Sequence, residues 1–216
     1  PAVKHEFRWN AAGLPDGRYG VVLGARNDVG IETAATVAVI VDRTLAAFRI
    51  VPQVFSPNRD GRYDSTRFRF ALNGPARVSL AIRRGKRGVG IVFTGPLEPG
   101  RHAIEWNGIF RRRVGAGEYQ ATLSATSLVA TVAQKMEFAV DVTPPTLKLL
   151  DRAALRFSIN EPGDITVVLD GTRTVMRRRL IPGRFTIASG GPFSTIQATA
   201  RDFAGNERAL APMRRR

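Results

Sequence analysis

Phe68, Phe70 and Leu72 alternate with Arg67, Arg69 and Ala71, and Val78, Leu80 and Ile82 alternate with Ser79 and Ala81. A period of two sends successive side chains to opposite faces of an extended chain. These runs therefore predict half-buried antiparallel strands with one face to a core. Turn residues punctuate the pattern roughly every eight to twelve residues, as at Asn73-Gly74-Pro75, Pro99-Gly100 and Asn160-Glu161-Pro162-Gly163, the spacing of a sandwich or barrel. No stretch carries a helical stripe. The longest apolar run, Ala34 to Val41, falls far short of the roughly 18 residues needed to span a bilayer as a helix.

The pattern also repeats. His5-Glu6-Phe7-Arg8-Trp9-Asn10 recurs as His102-Ala103-Ile104-Glu105-Trp106-Asn107, an offset of 102 − 5 = 97. Each copy leads to a Gly-x-Tyr, at Gly17-Arg18-Tyr19 and Gly117-Glu118-Tyr119, then to two strands closing on Val41-Asp42 and Val140-Asp141. A second pair matches Phe70–Ile82 to Phe157–Leu169, an offset of 157 − 70 = 87, and Pro99-Gly100-Arg101 to Pro182-Gly183-Arg184. Finally, Ala25–Gly30 matches Ala200–Gly205. Repetition at this scale marks an array of like units. The expected division is the C-terminal half of a first unit over 1–43, a complete unit over 44–142 and a shorter, divergent unit over 143–216. The fold class expected is all-β, with tandem immunoglobulin-like sandwiches of about a hundred residues when complete. Half a sandwich has an open inner face, so Trp9, Tyr19, Val21 and Leu23 are expected to be exposed or covered by another chain. Trp9 and Trp106, at the same place in two repeats, both read as core plugs with the N–H bonded locally rather than as sugar platforms.

Val54-Phe55-Ser56-Pro57-Asn58-Arg59-Asp60-Gly61-Arg62-Tyr63-Asp64 resembles the F-S-P-N-G-D-G-x-x-D opening of the Ig-like modules related to that of the flagellar hook-capping protein. The later W-N-G … G-x-Y part of that pattern is matched by Trp106-Asn107-Gly108 and Gly117-Glu118-Tyr119, and in the first unit by Trp9-Asn10 and Gly17-Arg18-Tyr19. The third unit, with Thr143-Pro144-Pro145 and Asp202–Asn206, looks more like the generic Ig-like repeats of bacterial surface proteins. The resemblance implies a spacer, accessory or adhesion segment of an exported bacterial protein, extracellular or on the cell surface. It also allows the C-terminal accessory region of a secreted hydrolase whose catalytic domain lies upstream. The hook-cap role itself does not carry over. A chain opening on Pro1 without a signal segment is expected to be a piece of something longer.

Composition adds two things. The absence of Cys removes disulfides, thiolate metal sites and Cys nucleophiles. A formal charge of +15, almost all of it from Arg, suits contact with polyanions, although an Arg-rich solvated surface gives the same number. Clusters stand at Arg83/Arg84/Lys86/Arg87, Arg111–Arg113, Arg177–Arg179 and Arg214–Arg216. The first and third follow matching strands and are expected in the same hairpin region of their units. Arg83, Arg84, Lys86, Arg87, Arg177, Arg178 and Arg179 are thus the candidate polyanion-binding set, with an anionic wall polymer as partner. Nucleic acid is disfavoured because aromatic rings are nearly absent beside them. Charged edges that block strand-to-strand aggregation are the alternative.

The loop Ser56-x-Asn58-x-Asp60-Gly61-x-x-Asp64 spaces oxygen ligands as an EF-hand-type loop does. Ser56, Asn58, Asp60 and Asp64 would offer side chains to calcium, and Arg62 its carbonyl. Against this, position twelve is Arg67 rather than a bidentate Glu. The other reading is a rigid turn in which Asn58 and Asp60 cap backbone N–H groups. No further cofactor is expected. No catalytic residues are assigned: His5 and His102 occupy equivalent repeat positions without a Ser or Asp partner in a motif, and Gly85–Gly90 lacks the helix a phosphate loop needs.

Overall fold

A computed structural model of the chain describes residues 4–214, without the side chains of 176–178. All regular structure in it is β-strand, and the architecture is a tandem of Ig-like β-sandwiches preceded by a lone hairpin. That hairpin pairs β1 (Gly17–Arg26) with β2 (Glu32–Val41) over its full length.

The middle sandwich contains β3 (Leu45–Val51), β4 (Val54–Phe55), β5 (Thr66–Leu72), β6 (Ala76–Arg84), β7 (Arg87–Leu97), β8 (Gly100–Trp106), β9 (Gly117–Thr126) and β10 (Thr131–Val140). One sheet runs β4-β10-β9-β6-β7 and the other β3-β5-β8. Alternation decides which residues fill the space between them. Phe68, Phe70 and Leu72 from β5 meet Val78, Leu80 and Ile82 from β6 and Tyr119, Ala121, Leu123 and Ala125 from β9. Trp106, at the end of β8, closes this core among Phe55, Phe68, Phe110 and Phe138, with ring centroids 5.1–6.5 Å apart. Its indole N–H donates to the Ile109 carbonyl at 3.1 Å, so the one polar atom of the plug is satisfied.

The third sandwich repeats the plan with β11 (Leu147–Asp151), β12 (Arg156–Ile159), β13 (Gly163–Leu169), β14 (Arg173–Leu180), β15 (Gly183–Thr186), β16 (Thr195–Asp202), β17 (Glu207–Ala209) and β18 (Met213–Arg214). Its sheets run β11-β12-β15 and β14-β13-β16-β17, with β18 also on β16. Phe157, Ile165, Val167, Leu169 and Ile196 form its core.

The first hairpin shares local devices with the β9–β10 hairpin. The Tyr19 hydroxyl donates to the Pro15 carbonyl at 2.7 Å, and the Tyr119 hydroxyl donates to the Gly115 carbonyl at 2.6 Å, four residues back in both cases. Burial separates them. Trp106 is 5% exposed and Trp9 51%; Leu123 is 0% exposed and Leu23 54%. The expectation that Trp9 is a core plug like Trp106 is therefore corrected. Trp9 touches Tyr19 edge-on at 6.3 Å, and among the described residues no second sheet covers the pair.

Two outcomes follow from this contrast. Trp106→Ala should cost the middle sandwich about 3–5 kcal/mol in equilibrium denaturant unfolding, the usual cost of emptying an aromatic core site. Trp9→Ala should cost clearly less, about 1 kcal/mol or below by the same measurement, since Trp9 is 51% exposed and lies outside both closed cores.

Candidate functional site

The chain Ser56–Asp64 is held mainly by its own backbone. The Asn58 carbonyl oxygen Oδ1 accepts from the Asp60 N–H at 3.0 Å, and Asp60 Oδ1 accepts from the Arg62 N–H at 2.8 Å. Asp64 accepts from the N–H groups of Arg59 and Gly61. These are the local caps by which Asn and Asp build turns. Ser56 is buried, and its hydroxyl leaves the loop altogether: it donates at 2.6 Å to Asn206 Oδ1, in the third sandwich.

Asn206 is 1% exposed and every one of its polar side-chain groups is used. Its Oδ1 accepts from Ser56 and from Asn58 Nδ2, the latter at 3.3 Å. Its Nδ2 donates to the carbonyl of linker residue Asp141 and to Asp202 Oδ2, both at 2.8 Å. One amide thus ties together the middle sandwich, the linker and the third sandwich. The Glu207 carboxylate reinforces it by accepting from Arg62 across the joint at 2.6 Å and from Arg201 beside it at 2.8 Å. Tyr63 lies against Gly205, where a Cβ would stand 2.9 Å from its ring, and the backbone there has φ +92°. Glycine is required at that position twice over.

The joint between the first hairpin and the middle sandwich shares the linker aspartate and a hairpin tip seated on it, with different bonding atoms. Asp42 Oδ1 accepts from the Thr44 N–H at 2.8 Å, as Asp141 Oδ1 accepts from the Thr143 N–H at 2.9 Å. Asp42 Oδ2 then takes the Ser127 hydroxyl at 3.0 Å, and Arg18 donates to the Val129 carbonyl at 3.2 Å. Ser127–Ala130 is the tip of the β9–β10 hairpin; Asp202–Asn206 is the corresponding tip after β16. At both joints the hairpin tip of the following unit sits on the linker aspartate of the preceding one. The equivalent tip of the first hairpin, Asn27–Ile31, has the same Asx geometry, with Asn27 Oδ1 accepting from Ile31 N–H at 2.8 Å, and is exposed.

Carboxyl oxygens of Asp141, Glu161 and Asp202 lie within 4.8 Å of one another at the second joint. Burial pushes the Asp202 carboxyl above its ordinary value; the Asn206 hydrogen bonds oppose this, and the Asp141 charge adds to it. Burial likewise raises Glu161, with the charges of Asp141 and Asp202 acting in the same direction. Glu207 is lowered, first by its hydrogen bond from Arg201 and then, against desolvation, by Arg62.

The basic clusters are not placed as the repeat alignment suggested. Arg83–Arg87 surround the turn between β6 and β7, whereas Arg177 pairs with Ile165 at the far end of the β13–β14 hairpin from its turn. The expectation of a shared hairpin region fails because matching strands β6 and β13 are followed by hairpins whose arginines sit at opposite ends. The side chains of Arg177 and Arg178 are outside the described residues, as are residues 215 and 216; the Arg179 N–H donates to Asp164 at 2.9 Å. Arg83 is bound to its own turn through the Gly85 carbonyl at 3.0 Å. Arg84 donates to the Ala116 carbonyl at 2.8 Å and lies over the Tyr119 ring. Lys86 and Arg87 are exposed.

What the alignment did not reveal is a meeting of two clusters. The segment after Trp106 folds over β7, bringing Arg111, Arg112 and Arg113 beside Arg84 and Arg87 around a cleft of about 620 Å³. Phe110 seats the segment. Its ring lies where a Cβ on Gly90 would be, 2.7 Å away, so a glycine inside the strand is what admits it. Of the three glycines in β7, Gly88, Gly90 and Gly95, only Gly90 has a Phe110 ring in the place of a Cβ, and nothing in the sequence marks it out from the other two.

No family model matches the chain, and no curated protein matches it. Among solved structures it is similar to the fibronectin(III)-like modules of CbhA from Clostridium thermocellum, at 13% identity and TM-score 0.41, covering 78% of this chain and 91% of that one. It is also similar to a tetra-tandem repeat in the extending region of a large adhesion protein, at 15% identity and TM-score 0.29, covering 94% of this chain and 57% of that one.

Proposed function

We propose that the chain is a non-catalytic spacer segment of an exported bacterial protein, in which Ig-like units are joined head to tail by one repeated connector. The observation that carries this reading is the recurrence of that connector. A linker aspartate caps the chain two residues on, at Asp42 and Asp141, and receives the hairpin tip of the next unit. A spacer needs units held at a set angle, and hydrogen bonds from both neighbours to a buried side chain supply that where a flexible linker does not. In this reading residues 1–43 are the C-terminal half of a first unit, 44–142 a complete unit and 143–216 a shorter one. The apolar face of β1 and β2, with Val21, Leu23 and Val37 exposed, is the half of a core that the front strands of such a unit cover.

The joint should be rigid in the protein and loose without its clamp. Residual dipolar couplings measured on the full chain should fit one alignment tensor for the middle and third sandwiches, and Asn206→Ala should require two. The substitution should also cost about 1–3 kcal/mol in unfolding of the third sandwich, because buried partners lose their hydrogen bonds. Separate tensors in the unsubstituted chain would overturn the spacer reading.

The joint should also respond to pH. Asp202 and Glu161 are raised in the folded chain, so between the ordinary carboxylate value and their folded values the folded state holds more protons than the unfolded one. Stability therefore falls as pH rises through that window. Glu207, lowered, acts oppositely below its ordinary value, where its contribution is lost as pH falls. The melting temperature of the third sandwich should peak in mildly acidic solution and decline toward neutrality, and Glu161→Gln should flatten that decline.

A further inference from the structure

We propose that the arginine cleft of the middle sandwich is a binding site for an anionic polysaccharide bearing phosphate or sulfate groups. This goes beyond the spacer reading and does not depend on it. Five guanidinium groups line the cleft, from Arg84, Arg87, Arg111, Arg112 and Arg113, and no carboxylate is among its lining residues. Among the described residues, Arg87, Arg111, Arg112 and Arg113 enter no ion pair, although the same chain pairs Arg43, Arg62, Arg67 and Arg201 with acids. Their charge is therefore left for an external anion. The planar fork of Arg suits phosphate and sulfate oxygens in particular.

The arrangement is also held in place. Arg84 is fixed by the Ala116 carbonyl and the Tyr119 ring. The opposite wall, Ile109–Val114, is folded back on itself: Ile109 bridges to Arg113, the Val114 N–H donates to the Gly108 carbonyl at 2.9 Å, and Phe110 is wedged between Gly90 and Trp106. A wall fixed before binding loses little entropy on meeting its ligand. Several charges spread along an open cleft suit a polymer that presents repeated anionic groups. Phe110, half-buried between Gly90 and Trp106, serves to hold the wall. Single-stranded nucleic acid uses successive stacking rings, and Phe110 is the one such half-buried ring beside these arginines.

Binding of the full chain to a heparin oligosaccharide, measured by calorimetry at several salt concentrations, tests the site. The charge reversal Arg87→Glu/Arg112→Glu/Arg113→Glu should weaken binding by about tenfold or more, each tenfold being about 1.4 kcal/mol. Arg49→Glu/Arg69→Glu/Arg101→Glu, which alters the same number of charges on the outer face of β3, β5 and β8, should leave it nearly unchanged. The neutral variant Arg112→Ala/Arg113→Ala, with amide shifts confined to residues 87–90 and 109–114 on titration, guards against a folding defect in the first. Equal loss from both reversals would reduce the effect to net charge and overturn the proposal, as would failure to bind heparin. Tighter, cleft-dependent binding of a thymidine oligonucleotide than of heparin would overturn it in favour of nucleic acid.

Discussion

A buried primary amide that misses its partners costs more than a salt bridge on the surface returns, and Asn206 misses none. Its four hydrogen-bonding capacities are divided among Ser56 and Asn58 of one sandwich, Asp202 of the next, and the carbonyl of Asp141 between them. The rest of the joint depends on that division. Ser56 can be buried because its hydroxyl is taken up. The turn after it can be rigid because Asn58, Asp60 and Asp64 cap it from within. Tyr63 and Arg62 are thereby aimed at Gly205 and Glu207. Moving any one of these sides would strand a polar group in a dry place.

The acidic trio sets the opposite tendency at the same place. Asp141, Glu161 and Asp202 crowd carboxyl groups where desolvation already disfavours their charge. The Asn206 hydrogen bonds oppose this at Asp202 without cancelling it, and protonation relieves the crowding. The amide clamp and the crowded carboxyl groups thus share Asp202, so the two tendencies meet in one side chain.

Most of the fold was legible because alternation is a local signal and repetition is a global one. Phe68, Phe70 and Leu72 announced a strand with one buried face, and the structure buries them. The matched Trp-Asn and Gly-x-Tyr segments gave the correspondence of β1–β2 with β9–β10 down to the tyrosine hydroxyl bond. The same correspondence misled for Trp9, since a repeat preserves a side chain's role only where the strands that surround it are also present. The candidate sites were less legible. Ser56 to Asp64 has the oxygen spacing of a cation loop, but hydrogen bonds to amides use the same oxygens, and Asn206 lies 150 positions from Ser56. The arginine cleft joins Arg87 to Arg111–Arg113 through a crossing of β7, which depends on tertiary packing around Phe110 rather than on any spacing along the chain.

The two joints are built with unlike faces: a linker aspartate on one side, a hairpin tip on the other. An interface of that kind is heterologous, and it has a direction. A whole unit exchanged within such an array carries its own aspartate and its own tip, while the partners of that tip, a carboxylate at Asp42 and a backbone carbonyl at Asp141, differ between the joints. A cut made in the middle of a unit, by contrast, separates an aspartate from the strands that support it. The tip at Asn27–Ile31 has the same Asx pattern, with Val29 and Ile31 turned to solvent. The natural quantum of inheritance in this architecture is thus the distance from one linker aspartate to the next.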